Sequence, residues 1–205
     1  MRARHLTALT PGLVLLAATA GADQSEWRLG VAGGAVLTSA TLADARGDGL
    51  GFAVQGRMGY GLLDSFDLGG IVSYTSVSDV RFEHASMLGQ AGTLYANLAT
   101  FALGAELRFA PGVGLARAFS RTGPYLAVRG GAAVLVMSGQ QLFGPSNLLI
   151  LDVDDGLDVR PFCGAAVGVE HRFGDHLFVA GELAATFMAG ARRFDSTLEL
   201  AWSWY

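Results

Sequence analysis

The sequence predicts an all-β protein: an eight-stranded, antiparallel, up-and-down transmembrane β-barrel. Three observations predict it. Apolar residues recur at every second position in eight successive segments, the period of a strand whose side chains point alternately to two faces. The opposite parity of those segments gathers nearly equal numbers of arginines and carboxylates among glycines and alanines, a composition suited to a narrow, filled interior. The connections are mostly short at one end and mostly long at the other, the layout of a membrane barrel.

Taken in order, the first segment sets Trp27, Leu29, Val31, Ala35 and Leu37 against Arg28, Gly30, Ala32 and Gly34. The second sets Phe52, Val54, Met58, Tyr60 and Leu62 against Ala53, Gln55, Arg57, Gly59 and Gly61. In the third, Phe66, Leu68, Val72 and Tyr74 oppose Asp67, Gly69, Ser73 and Thr75, with Ile71 out of pattern. The fourth opposes Leu103, Ala105, Leu107 and Phe109 to Gly104, Glu106 and Arg108; its first half, from Leu94, is apolar on both parities. Leu126, Val128, Val134 and Val136 face Tyr125, Arg129, Gly131 and Ala133 in the fifth. The sixth has Val159, Cys163, Val167, Val169 and Phe173 against Arg160, Gly164, Gly168, Glu170 and Arg172. The seventh has Leu177, Val179, Leu183 and Phe187 against Ala180, Glu182 and Thr186. In the eighth, Phe194, Leu198, Leu200, Trp202 and Trp204 oppose Asp195, Thr197, Glu199 and Ser203. Short turns are expected at 63–65, at 174–175 and after the seventh segment. Long polar loops are expected at 40–49, 79–92 and 140–156. The connection 110–123, which carries Pro111, is long where the pattern calls for a short one.

Composition narrows the function. The 205 residues are 51% hydrophobic and only 16% charged, which excludes a disordered chain. All 14 basic residues are arginine, and the isoelectric point near 5.5 gives no basic excess for nucleic acid. A single cysteine excludes an intrachain disulfide, and no Cys/His cluster has zinc-ligand spacing. Neither a cofactor nor a metal site is expected. Residues 1–22 read as a secretory signal: Arg2, Arg4 and His5, an uncharged apolar stretch from Leu6 to Ala20, then small residues before a cleavage expected ahead of Asp23. Residues 23–205 are the barrel domain, with 12 basic against 18 acidic residues and a formal charge of −6.

Which parity faces inward follows from the charges. Arg28, Arg57, Arg108, Arg129, Arg160 and Arg172 share the polar parity with Asp67, Glu106, Glu170, Glu182 and Glu199. A soluble face has no need of so close a balance, whereas a lumen just wide enough for side chains requires paired charges and small neighbours. Glu106, Glu170 and Glu182 are expected to pair with Arg108, Arg129 and Arg172. On the apolar parity, Trp27, Tyr60, Phe66, Phe109, Phe173, Trp202 and Trp204 gather at the short-turn end, and Phe52, Tyr74, Phe187 and Phe194 at the other. Two aromatic rings at strand ends match the interfacial girdles of membrane barrels. Two rival readings, a lone transmembrane helix over 85–105 and a soluble sandwich or lipocalin-like barrel, leave the alternation or the aromatic rings unexplained.

The stretch from Gly168 to Glu182, GVEHRFGDHLFVAGE, resembles the penultimate hairpin of the OmpA/OmpX-type outer-membrane β-barrel family, and Gly123-Pro124-Tyr125-Leu126 is similar to the opening of its middle strand. The likeness runs over roughly Trp27 to Tyr205 and concerns architecture. It implies the bacterial outer membrane as location and interior Arg/Glu pairs that plug or gate the lumen. Among partners it implies outer-membrane lipids and lipopolysaccharide, together with periplasmic chaperones and the barrel-assembly machinery during biogenesis. The protein is expected to be a monomer, without a nucleic-acid partner and without a following cell-wall-binding domain. Tyr205 stands where the family often ends on an aromatic, though one position out of phase.

Four further features invite chemistry. His84-Ala85-Ser86 has the His-x-Ser spacing that resembles the catalytic pair of outer-membrane lipid A deacylases, but Met87 follows where that motif has asparagine, and a solvated loop histidine is the expectation. Asp152 to Asp158 is an acidic loop similar to the start of a calcium-binding EF-hand, one residue short and without the terminal glutamate. His171 and His176 read as interfacial, and Cys163, on the lipid-facing parity, as a small hydrophobe. The expected function is therefore a non-enzymatic envelope or surface-interaction protein that acts through its outer loops. A narrow solute channel and a lipid-modifying enzyme are the alternatives.

Overall fold

The computed structural model describes residues 26–204 except 43–44, 64, 88, 111–120, 145, 147 and 154. The leader expected at 1–22 and Tyr205 lie outside the described residues. The described chain forms nine strands: β1 (Trp27–Leu42), β2 (Ala45–Leu63), β3 (Phe66–Met87), β4 (Gln90–Phe109), β5 (Thr122–Phe143), β6 (Leu149–Val153), β7 (Gly156–Phe173), β8 (Leu177–Met188) and β9 (Ala191–Trp204). Every pairing is antiparallel; strands next to each other in the chain pair, except that β6 and β7 both pair with β5, and β1 pairs with β9 from Trp27↔Trp204 to Ala40↔Ala191, which closes the ring. The short β6 continues the line of β7 along one edge of β5, so the cylinder has eight walls. Both described ends, residues 26 and 204, stand at the same rim, called the lower rim here.

The stretch 85–105, long enough for a helix, is instead the end of β3, a turn and most of β4; among the described residues no helix is long and apolar enough to cross a membrane.

The exterior of the lower part is an apolar band. On β9 it runs over Trp204, Trp202, Leu200, Leu198 and Phe194, on β1 from Trp27 to Leu37, and on β8 from Leu177 to Phe187, all exposed or half-buried. Each run is about the length of one tilted membrane crossing, which takes about 9–11 residues. The strands differ in how far they continue above it. β8 and β9 have 12 and 14 residues, whereas β3 and β5 have 22 each and β4 has 20.

Those extra residues correct the expected loops. Residues 40–42 and 45–49 are paired strand, up to Leu42↔Ala45, and β3 and β4 run through 79–92 with pairing up to Met87↔Gln90. Residues 140–143 and 149–153 pair as well, so only the middle of 140–156 connects. These residues look like loops in the sequence because polarity reverses along single strands. In the band, β3 and β4 turn apolar side chains outward and polar ones inward. Above it, Ser78, Arg81, Glu83 and Asn97 face out, while Val77, Val80, Phe82, Leu94 and Leu98 are buried inside.

β-Bulges manage this change. β3 slips against β4 between Val77 and Val80 and again between Phe82 and Ala85, and β5 slips against β4 near Gly139. The extra residues Asp79, His84 and Gly139 adopt left-handed backbone with φ of 55°, 60° and 60°. Two of the amides freed there find side-chain acceptors: Asp79 N–H donates to Asn97 Oδ1 at 3.1 Å and Gly139 N–H to Asp155 Oδ1 at 3.2 Å. Each bulge shifts the inward parity by one, which period-two counting cannot follow.

Candidate functional site

The lower lumen is a lattice of ion pairs. Glu182 on β8, with a buried side chain, accepts both Nη of Arg57 from across the barrel (2.6 and 2.9 Å), both of its oxygens accept Nη2 of Arg129 (2.6 and 2.7 Å), and it accepts Tyr125 Oη–H at 2.9 Å. Arg57 also donates to Glu199 at 2.8 Å and to Gln55 at 2.6 Å, and Arg129 Nε donates to Glu106 at 2.5 Å. One layer lower, Glu170 accepts Arg28 (2.8 Å) and Arg108 (2.6 Å). Arg108 Cζ stands over the Tyr125 ring, 3.5 Å from its centroid, and Arg28 Cζ over that of Phe178 at 4.5 Å. Glycine makes this density feasible: Gly168 pairs directly with Tyr125, whose ring a Cβ at 168 would meet at 2.4 Å.

Of the expected network, Arg28, Arg57, Glu106, Arg108, Arg129, Glu170, Glu182 and Glu199 stand together here. Two members do not. Arg172 sits at the lower rim, where it pairs with Glu26 at 3.4 Å and donates to the Asp175 carbonyl rather than to one of the three glutamates. Arg160 has the inward parity but the wrong height: it is near the upper end of β7, pairs with Asp158 at 2.7 Å and donates to the Ala189 carbonyl of the β8–β9 turn. Parity assigns a face; it says nothing of level along the barrel. Arg193 and Asp195, a buried pair at 3.0 Å, and the aromatic platforms Tyr125 and Phe178 belong to the interior as well. Carrying the eighth alternation back by one more pair of residues from Asp195 would have reached Arg193.

Interleaved with the upper ion pairs is a belt of buried Gln55, Ser73, Thr75, Thr100 and Thr197; Gln55 accepts from Arg57 and Thr197 stands opposite Glu182. Above that belt, the apolar cap begins. Val36, Val77, Val80, Phe82, Leu94, Leu98, Leu135 and Leu142 form one cluster, joined by small residues such as Ala40, Ala45 and Ala191. Ile71, out of pattern in the sequence, is simply an inward apolar residue among polar ones. The ion-pair zone leaves a cavity of about 20 Å³ bordered by Arg28, Arg57, Asp67, Arg108 and Glu199, room for a single water molecule.

The exterior girdles are built from ring contacts. At the lower rim Trp27 meets Tyr60 (4.9 Å between centroids), Phe66 meets Phe109 (4.7 Å) and Trp202 stacks on His176 (5.5 Å), with Phe173 and Trp204 on the same exposed face. His171 packs edge-on against Phe173 at 4.3 Å. At the upper edge of the band Tyr74 touches both Phe52 (5.9 Å) and Phe101 (4.7 Å).

The remaining candidates stay apart from the lumen. His84 and Ser86 lie on β3, exposed on the outside of the extension rather than in a loop. Asp152 is on β6 and Asp158 on β7, where it is engaged by Arg160, and among the described residues no group of three His, Cys, Asp or Glu side chains is arranged to hold a metal ion. Cys163 is a free thiol on the outward, apolar face.

No protein-family model matches the chain, and no curated protein matches it in sequence. Solved structures do resemble it in fold. Neisserial surface protein A superposes with a TM-score of 0.55 at 15% identity, over 86% of this chain and 96% of the other. Ail, the attachment invasion locus protein of Yersinia pestis, gives a TM-score of 0.48 at 9% identity over 89% and 100%. The N-terminal β-barrel domain of Pseudomonas aeruginosa OprF gives 0.47 at 14% identity over 88% and 98%. The chain thus has the eight-stranded barrel fold of the OmpA/OmpX type, as Neisserial surface protein A does, with an apolar band on its exterior.

Proposed function

We propose that this protein is a non-enzymatic, solute-tight outer-membrane barrel that anchors in the envelope and presents the β3–β6 extension at the cell surface for interaction. The observation that supports this most directly is the filled interior: ion pairs below and an apolar cluster above, stacked along one axis. Opening such a lumen would mean separating several buried guanidinium–carboxylate pairs, each costing several kcal/mol when broken from one side, and parting a packed apolar core as well. With the strand ends at the periplasmic rim, the even strand count sends the long hairpins outward. The outer face of β3–β4 is polar and charged, whereas the β5–β6 hairpin exposes Leu148, Leu149 and Ile150; strand pairing holds both in place, so recognition there would use preformed strands rather than mobile loops. On this reading the protein works as a monomer among outer-membrane lipids and lipopolysaccharide, delivered by periplasmic chaperones to the barrel-assembly machinery.

Planar-bilayer recording tests the sealed lumen: the wild-type protein should give no steady conductance, and a stable open level would overturn the reading. An epitope placed in the β3–β4 turn at Gly89 should be detected by antibody on intact cells; detection only after lysis would reverse the orientation.

A further inference from the structure

We infer that the sector formed by β8, β9, β1 and β2 binds the phosphate of an outer-leaflet lipid head group at the upper edge of the apolar band, through Arg46 and Arg192. The inference rests on the membrane reading above and adds a ligand site to it. The register places the parts. Arg192 is paired with Phe187 on one side and Ser39 on the other, and Arg46 with Thr41. These five residues border a cleft of about 300 Å³ against the tip of the β8–β9 hairpin. Immediately below, Phe194, Leu37 and Leu50 form a cross-strand row of exposed apolar side chains. Cations and hydroxyls therefore stand directly above grease, which suits a molecule with a phosphate head and acyl chains rather than a free anion or an acidic peptide.

The electrostatics of the cleft leave it receptive. Arg46 Nε donates to Ser39 Oγ at 3.0 Å, which draws the guanidinium over β1 toward the cleft, and its carboxylate neighbour Asp48 is 3.5 Å away with both side chains more than half exposed. Such an exposed pair contributes little and exchanges readily. Arg192 has no hydrogen bond or ion pair among the described residues, and neither does the Thr41 hydroxyl. Two guanidinium forks and two hydroxyls can engage a phosphomonoester bidentately, which a lysine pair could not do. The shortness of β8 and β9 keeps the site open on that side: their hairpin ends near the top of the apolar band, well short of the ends of β3 and β5.

The test uses the folded full barrel in nanodiscs of a neutral lipid, titrated with a diphosphorylated, acylated glucosamine disaccharide, its dephosphorylated form, and inorganic phosphate. The phosphorylated lipid should bind saturably. R46Q and R192Q should each weaken it about tenfold, and the double variant about a hundredfold, as expected for charge-assisted hydrogen bonds. R81Q, on the extension and paired with Glu83, should bind like the wild type. Equal binding of the dephosphorylated lipid, or undiminished binding by the double variant, would overturn the site. Inorganic phosphate competing as strongly as the lipid would replace the lipid with a free anion and overturn the head-group assignment. A protein that fails to enter nanodiscs at all would bring down the membrane reading with it, whereas insertion without selectivity removes only this inference.

Discussion

The lower barrel and the upper extension are made from the same strands with opposite wiring. In the lower barrel, charge is inside and leucine outside; Leu103 is 69% exposed while Glu182 on the inner face is 4% exposed. In the extension, Phe82 and Leu94 are fully buried and Arg81 and Glu83 face out. The difference teaches that a strand has no intrinsic inside. The surrounding medium decides, since acyl chains leave no driving force for apolar burial and water restores it. The lower half therefore relies on directed ion pairs for a unique interior, and the upper half on ordinary hydrophobic packing.

That contrast can be broken from either side. The largest effect is expected for Glu182→Ala, which strips Arg57, Arg129 and Tyr125 of a shared acceptor; about 4 kcal/mol of stability should be lost, read by urea unfolding in detergent or by the loss of the fast-migrating band on a heat-modifiability gel. Leu94→Ala should cost about 3 kcal/mol, but locally: the extension should become sensitive to protease while the band remains folded. An arginine placed on the outside separates the two regions most cleanly. Leu103→Arg should destabilise the barrel in vesicles by about 2–3 kcal/mol, whereas Ser78→Arg, outside on the extension, should stay within about 0.5 kcal/mol. A double-mutant cycle of Glu106→Gln with Arg129→Met should show a coupling of about 1–2 kcal/mol. Simple additivity would mean that the 2.5 Å pair contributes no specific coupling. The smallest change is expected for Glu83→Gln, whose exposed partner Arg81 should hardly register the loss.

Much of the lower barrel was legible because its alternation is unbroken: from Trp204 back to Arg193 on β9, every second residue is buried. Balanced charge on one parity also pointed to the right face for Arg57, Glu106, Arg129 and Glu182. Three things were hidden. The bulge residues Asp79, His84 and Gly139 each shift the phase, so a regular strand read as a loop. The reversal above the band removed the contrast that marks a lipid face, which is why residues from Leu94 looked apolar on both parities. And the pairing partners were out of reach, since Arg28 meets Glu170 from 142 positions away in the chain. Arg160 shows the limit most plainly, because a residue can face the axis and still sit too high to meet its expected partners.

The unequal strand lengths carry a consequence for biogenesis. Hairpin β3–β4 must move some eight more residues per strand, with their charged outer flank, through the bilayer than hairpin β8–β9 does. Passage of that wall is the step expected to slow insertion. A shortened β3–β4 hairpin should therefore enter membranes faster than the native one.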